Sequence, residues 1–140
     1  MVNSIKHLNN DLGILFIRIA AGGLMLFHGI AKFRYGHDFV REMLAEKGLP
    51  ELLWMGVPLG EFVAPILLIF GLFTRLSGML MALVMLFVLI FAHGNATFTI
   101  GETGGLDGEL ALLFMFSGMA LFFTGGGEYA LLKPENEWLR

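Results

Sequence analysis

Apolar residues fall into four long blocks, at roughly 12–33, 52–73, 76–93 and 107–124, and charged residues collect between them. Wound as helices rising about 1.5 Å per residue, blocks of this length cross about 30 Å of hydrocarbon. The pattern predicts an all-α integral membrane protein: a single domain over residues 1–140, built as a four-transmembrane-helix bundle. Between the first two blocks lies "RYGHDFVREMLAEKGLPE", Arg34 to Glu51, in which Phe39, Val40, Met43 and Leu44 recur at helical spacing among charges. That spacing predicts a short interfacial helix near residues 38–47. "TR", Thr74 and Arg75, reads as the tight turn between the second and third blocks, with Arg75 anchoring it at headgroup level. "HGNATFTIGETGGLDGE", His93 to Glu109, reads as a glycine-rich loop. Tyr35 and Trp54 on one side, and Tyr129 and Trp138 on the other, are placed for interfacial aromatic belts.

Composition sharpens this picture. The chain is 56% apolar and 15% charged, unlike a soluble domain of this length. Its net charge of −3 carries no tract of one sign, so nucleic acid is excluded as a partner and the lipid bilayer is the expected one. Cysteine is absent, which removes disulfides, iron–sulfur clusters and thiol relays within the chain. The first block is too long for a secretory leader and lacks a cleavage site, which predicts a retained span. Lys6, Arg75, Lys133 and Arg140 on one side nearly balance Lys32, Arg34, Arg41 and Lys47 on the other. Acids interleave with the last three, assigning them to the interfacial helix and favouring both termini in the cytoplasm.

Several ionisable groups nevertheless sit inside or beside the apolar blocks. Counting from block ends in alternating directions puts His28, Lys32, His93 and Glu109 near one membrane face, that of the long loops. Glu61 lies nearer the midplane and Arg18 deeper still, with a side chain long enough to reach back. On a helical wheel Arg18, Ala21, Gly22, Met25, His28, Gly29 and Lys32 share one arc, and the remaining positions suit lipid. In the second block Gly56, Gly60 and Ala64 form a small-residue ridge beside Glu61, which permits close helix approach. Pro65 lacks the N–H that would satisfy the Glu61 carbonyl, as Pro58 does for Trp54. Arg18, His28 and Lys32 are the available donors, and Glu61 is expected within about 6 Å of one of them.

Two readings of the cluster compete: a buried polar network that only locks helices together, and a pocket that holds a substrate, proton or cofactor. His28 and His93, at similar depth, are conceivable haem ligands, but no spacing supports haem. Met79, Met81 and Met85 read as flexible packing, so no metal site is assigned. "GGLDGE" and "TGGGE" lack the lysine and hydroxyl residue of a phosphate loop and read as turns.

An arginine followed by "FHGIAKF", then "GEFVAPILLIFGLFTRLSG", then a glycine-rich turn before an acid together resemble the DoxX family of small bacterial membrane proteins. The pattern covers about Leu12 to Leu132. It is most specific at His28, Gly29 and Lys32, at the spacing from Glu61 through Gly71 to Thr74 and Arg75, and at Glu109, where "GGLDGE" departs from the family's usual turn. The resemblance implies a four-helix bundle in the bacterial inner membrane, linked to quinone-coupled or oxidative-stress systems with a partner oxidoreductase. A quinone is then the expected cofactor, and the chain a redox-accessory subunit. An assembly partner of a membrane enzyme, and a small-molecule transporter working as a homo-oligomer with Arg18, Lys32 and Arg75 as counter-charges, are the alternatives.

Overall fold

The computed structural model describes residues 2–102, 104–133 and 136, with side chains from residue 10 onward. Trp138 and Arg140, and the side chain of Lys6, lie outside the described residues. Five helical elements follow one another: α1 (Val2–Tyr35), α2 (Asp38–Glu46), α3 (Glu51–Phe70), α4 (Thr74–Phe98) and α5 (Glu109–Thr124). Among the described residues no β-strand forms, and a single bridge between Ile100 and Leu106 closes the α4–α5 loop. Three stretches, Asn10–Tyr35, Glu51–Phe70 and Thr74–Phe98, are long and apolar enough to cross a membrane. At 16 residues, α5 spans about 24 Å, short of a full hydrocarbon core.

The four apolar rods form a ring in the order α1, α3, α4, α5 and back to α1. Glycine sets the spacing at each of three seams. On α1, a β-carbon at Gly22 would lie 3.0 Å from the Pro65 carbonyl oxygen, and one at Gly29 would lie 2.7 Å from the Glu61 carbonyl carbon. On α3, Gly60 faces Val84 of α4. The most extensive seam, α4 with α5, rests on a reciprocal pair: β-carbons at Gly78 and Gly118 would each come within 2.6 Å of the other residue's carbonyl oxygen. Without a hydrophobic drive between helices in lipid, backbones this close gain dispersion contacts that larger residues prevent. Gly56 is different. A β-carbon there would meet nothing within 4 Å, so the predicted ridge acts only through Gly60 and the buried Ala64, and towards α4 at Gly60.

Two of the connections differ from expectation for local reasons. The α3–α4 turn is Gly71 to Phe73, not Thr74 and Arg75, which lie in the first turn of α4. Gly71 ends α3 in the left-handed region (φ 67°), where glycine alone is unstrained, and Phe73 enters α4 at φ 46°. An apolar turn of this kind leaves no trace in hydropathy. The amphipathic helix α2 starts after Gly36 (φ 92°) and buries Val40, Met43 and Leu44 against Val57, with Leu49, Trp54, Phe87 and Phe91 around them. Its expected apolar residue Phe39 points outward instead.

Replacing Gly29 by Ala should destabilise the fold by the upper end of the roughly 1–3 kcal/mol seen for overpacking, because the obstacle is main chain. Gly56→Ala should be neutral or stabilising by up to about 1 kcal/mol. Thermal unfolding of both variants in one detergent compares them directly, and equal melting temperatures would contradict the α1–α3 seam.

Candidate functional site

Prolines and π-turns shape the α3 wall of the site. Around Glu61 the helix widens, and the Ala64 N–H donates to the carbonyl of Leu59, five residues back. The same widening recurs late in α4, where the Gly94 N–H donates to Leu89. Such π-turns displace side chains from their ordinary register and recur at functional sites. Here the residues they present, Glu61 and His93, line one cavity.

That cavity, of about 220 Å³, is lined by Lys32 and His28 of α1, Glu61 of α3, His93 of α4 and Asp107 of the following loop, over an apolar floor that includes Met25, Met85 and Phe114. Its volume is many times the roughly 10–15 Å³ that one water needs and below the roughly 300 Å³ at which drug-sized pockets begin. A ring-sized ligand or several waters fit. The Lys32 Nζ donates to Glu61 Oε1 at 2.5 Å. Glu61 is 2% exposed and its Oε2 has no hydrogen-bond partner, whereas a third of the Lys32 side chain is exposed. A buried carboxylate oxygen left without a donor costs free energy. The ring of His28 meets Phe114 edge-on at 5.9 Å.

Four of the six expected site residues, His28, Lys32, Glu61 and His93, thus line one cavity, and Glu61 pairs with Lys32 as the helical-wheel argument required. Arg18 does not join them. Buried to 1% exposure, it donates from Nε to Leu68 O (2.9 Å), from Nη1 to Gly126 O (2.8 Å) and from Nη2 to Ile69 O (3.1 Å). It reaches away from Glu61 to the last carbonyls of α3, where Leu68 O accepts it together with the Gly71 N–H. Gly71 makes room for it: a β-carbon there would lie 2.7 Å from the guanidinium carbon. Arg75 does related work at the same end. Its Nη1 donates to the carbonyls of Phe122 and Phe123, at 2.8 and 2.9 Å, so it caps α5.

Glu109 is also outside the cavity. Its Oε2 accepts the N–H of Leu106 at 3.1 Å, and the carboxylate folds over Gly105. The acid at the cavity is Asp107, whose Oδ2 accepts from Thr99 Oγ1 at 2.6 Å. Both acids are in the same quoted loop, and only the reverse turn that pairs Asp107 with Thr99 (N–H to O, 3.0 Å) distinguishes them. Buried Thr97 was likewise missed. Its hydroxyl donates to Leu89 O at 3.1 Å and ties the loop to the α4 π-turn. A polar residue four positions after His93 was the available signal.

Comparison with known proteins adds to this geometry. The DoxX family model matches residues 13–94, which include His28, Lys32, Glu61 and His93. The chain belongs to the DoxX family. It is 36% identical over 125 residues to an uncharacterized protein of Haemophilus influenzae, covering 84% of this chain and 87% of the relative. It is also 28% identical over 121 residues to a Bacillus subtilis protein named "Putative oxidoreductase CatD", covering 86% of this chain and 85% of that one. No solved structure matches. Within this DoxX membrane protein the matched region ends at His93–Gly94, so the α4–α5 loop that supplies Asp107 lies beyond it.

Two expectations follow. Lys32→Met should destabilise by about 3 kcal/mol, the low end for breaking a buried pair because Lys32 is partly exposed, and the double variant Lys32→Met/Glu61→Leu should recover most of that loss in a thermal-unfolding cycle. Arg75→Lys should stay within about 1 kcal/mol of the parent, since one ammonium can serve both carbonyls, whereas Arg75→Met should lose about 1.5–3 kcal/mol. A lysine variant as unstable as the methionine variant would exclude the capping role.

Proposed function

We propose that this chain is an accessory subunit of a membrane redox system, and that its cavity takes a quinone-type head group while a partner oxidoreductase supplies the electrons. The observation that carries this reading is Glu61: nearly fully buried, half-satisfied by Lys32, and with Oε2 unpartnered at a cavity. Intramembrane carboxylates are costly and mark ligand or proton sites by default. A relative bearing the name of an oxidoreductase supports the class.

The residues present fit such a head group. Met25, Met85 and Phe114 offer a soft apolar bed for a ring, and sulfur–aromatic contacts favour aromatic occupants. Lys32, with one of its donors spent on Glu61, keeps others for a ring oxygen. A quinone supplies two-electron, two-proton carrier chemistry when bound. The chain's own part is to hold the ring, exclude bulk water from its inner edge and exchange protons through Glu61, with His28 and His93 lining the same cavity.

In this reading α5 is the fourth span of a single bundle in the bacterial inner membrane, α2 lies at the interface, and both termini are cytoplasmic. Transport through one chain is disfavoured by Arg18, which is spent on three main-chain carbonyls and does not line the cavity. Assembly alone, without a ligand, is the competing role.

Gentle detergent extraction followed by mass and absorbance spectroscopy of bound small molecules tests this. A quinone-type ring should co-purify or bind on addition. Ala111→Phe, which fills the cavity, should exclude it while the melting temperature stays within a few degrees. If the parent neither retains nor binds any such ring, the assembly role replaces this one.

A further inference from the structure

Glu61 and Lys32 together constrain which redox form of the ring the cavity prefers. Lys32 occupies Oε1, so the open valence of the carboxylate is at Oε2, and while Glu61 is ionised beside Lys32 that oxygen accepts and does not donate. A ring carbonyl placed there sets acceptor against acceptor and leaves Oε2 buried and unpaired. A ring hydroxyl answers both groups: its hydrogen donates to Oε2, and its oxygen accepts from a remaining N–H of Lys32. No other residue at the cavity, His28 and His93 included, donates to Oε2. His28 is exposed and set edge-on to Phe114, Asp107 is an acid already bound to Thr99, and Met25, Met85 and Phe114 carry no N–H or O–H.

Resting on the head-group reading above, we infer that the cavity binds the reduced, hydroxyl-bearing ring, a quinol, in preference to the oxidised quinone, and that Glu61 Oε2 is the atom that reads the hydroxyl. Glu61 is thereby a specificity-determining residue, and the chain's natural occupant is the product of quinone reduction or the substrate of quinol oxidation. Leaving one charged acceptor unpaired corresponds to a discrimination on the order of ten- to a hundredfold.

The test uses the full chain in mild detergent under anaerobic conditions, with three probes that share one tetramethyl-substituted ring: tetramethylhydroquinone, its dimethyl ether and tetramethylbenzoquinone. Ligand-observed NMR titration gives their Kd values. The quinol should bind at least tenfold more tightly than the ether, which has the oxygens but no hydrogen to donate, and than the quinone. Glu61→Gln should then invert the order. Lys32 retains the amide oxygen, and the amide nitrogen, now a donor, takes the place of Oε2, so the quinone gains and the quinol loses. Equal binding of quinol and ether, or a quinone that binds as tightly as the quinol in the parent, overturns the selectivity and leaves the head-group pocket standing. Failure of all three probes to bind overturns the pocket and the selectivity together. If Glu61→Gln does not fold, the parent's three Kd values decide alone.

Discussion

The contact on which the site depends is the passage of the Glu61 main chain over Gly29. Any side chain at Gly29 would collide with the Glu61 carbonyl carbon or with Phe62 Cα, at 2.7 and 3.1 Å from a β-carbon. Because the backbones touch there, Lys32, three residues further along α1, arrives at the Glu61 carboxylate and bonds it at 2.5 Å. The carbonyl at this contact is the one Pro65 deprives of its helical donor, and the local π-turn turns the side chain towards α1. A missing β-carbon, a missing N–H and a widened turn therefore place one charge pair. Packing and electrostatics are inseparable here, since the pair needs the short separation and the short separation brings the charges in.

The two ends of the ring handle exposed main chain in opposite ways. At the end carrying Arg18 and Arg75, the last carbonyls of α3 and α5 are met by guanidinium groups, whose planar donor array reaches several acceptors at once. Carbonyls without donors in hydrocarbon cost several kcal/mol each, so this end is closed by polar bonds, and the chain after α5 lies across it, with Leu131 and Leu132 donating to Phe70 and Gly71. At the other end the polar groups face inward on a cavity, and the loop hairpin from Thr97 to Gly108 borders it. Guanidinium groups meet main-chain carbonyls at one end, and charged side chains line a cavity at the other.

Hydropathy and helical periodicity by themselves determined much of this protein: helical membrane character, the amphipathic segment after α1, the arc of α1 that turns inward, and the gathering of His28, Lys32, Glu61 and His93 at one end. These follow from properties that act along the chain, since apolar length, a 100° step per residue and the alternation of helix direction need no partner to be evaluated. The pairing of Glu61 with a basic group on α1 was legible for the same reason, as a deep charge must be offset by something on the facing arc.

Tertiary structure decided what depends on where a neighbour's backbone ends. Arg18 lies on the predicted arc, yet it turns from Glu61 to the carbonyls of Leu68, Ile69 and Gly126, because main-chain acceptors compete for a guanidinium and no local pattern ranks them. Asp107 rather than Glu109 faces the cavity because a loop hairpin, closed by Thr99, sets the direction of each carboxylate. The α3–α4 turn hides in the apolar residues Gly71 to Phe73, where backbone dihedrals rather than polarity make the reversal. Gly78 and Gly118, forty residues apart, meet at the most extensive seam only once α4 and α5 lie side by side. Side-chain chemistry is written residue by residue, but the partner that satisfies each polar atom is set by three-dimensional proximity, which a one-dimensional pattern does not contain.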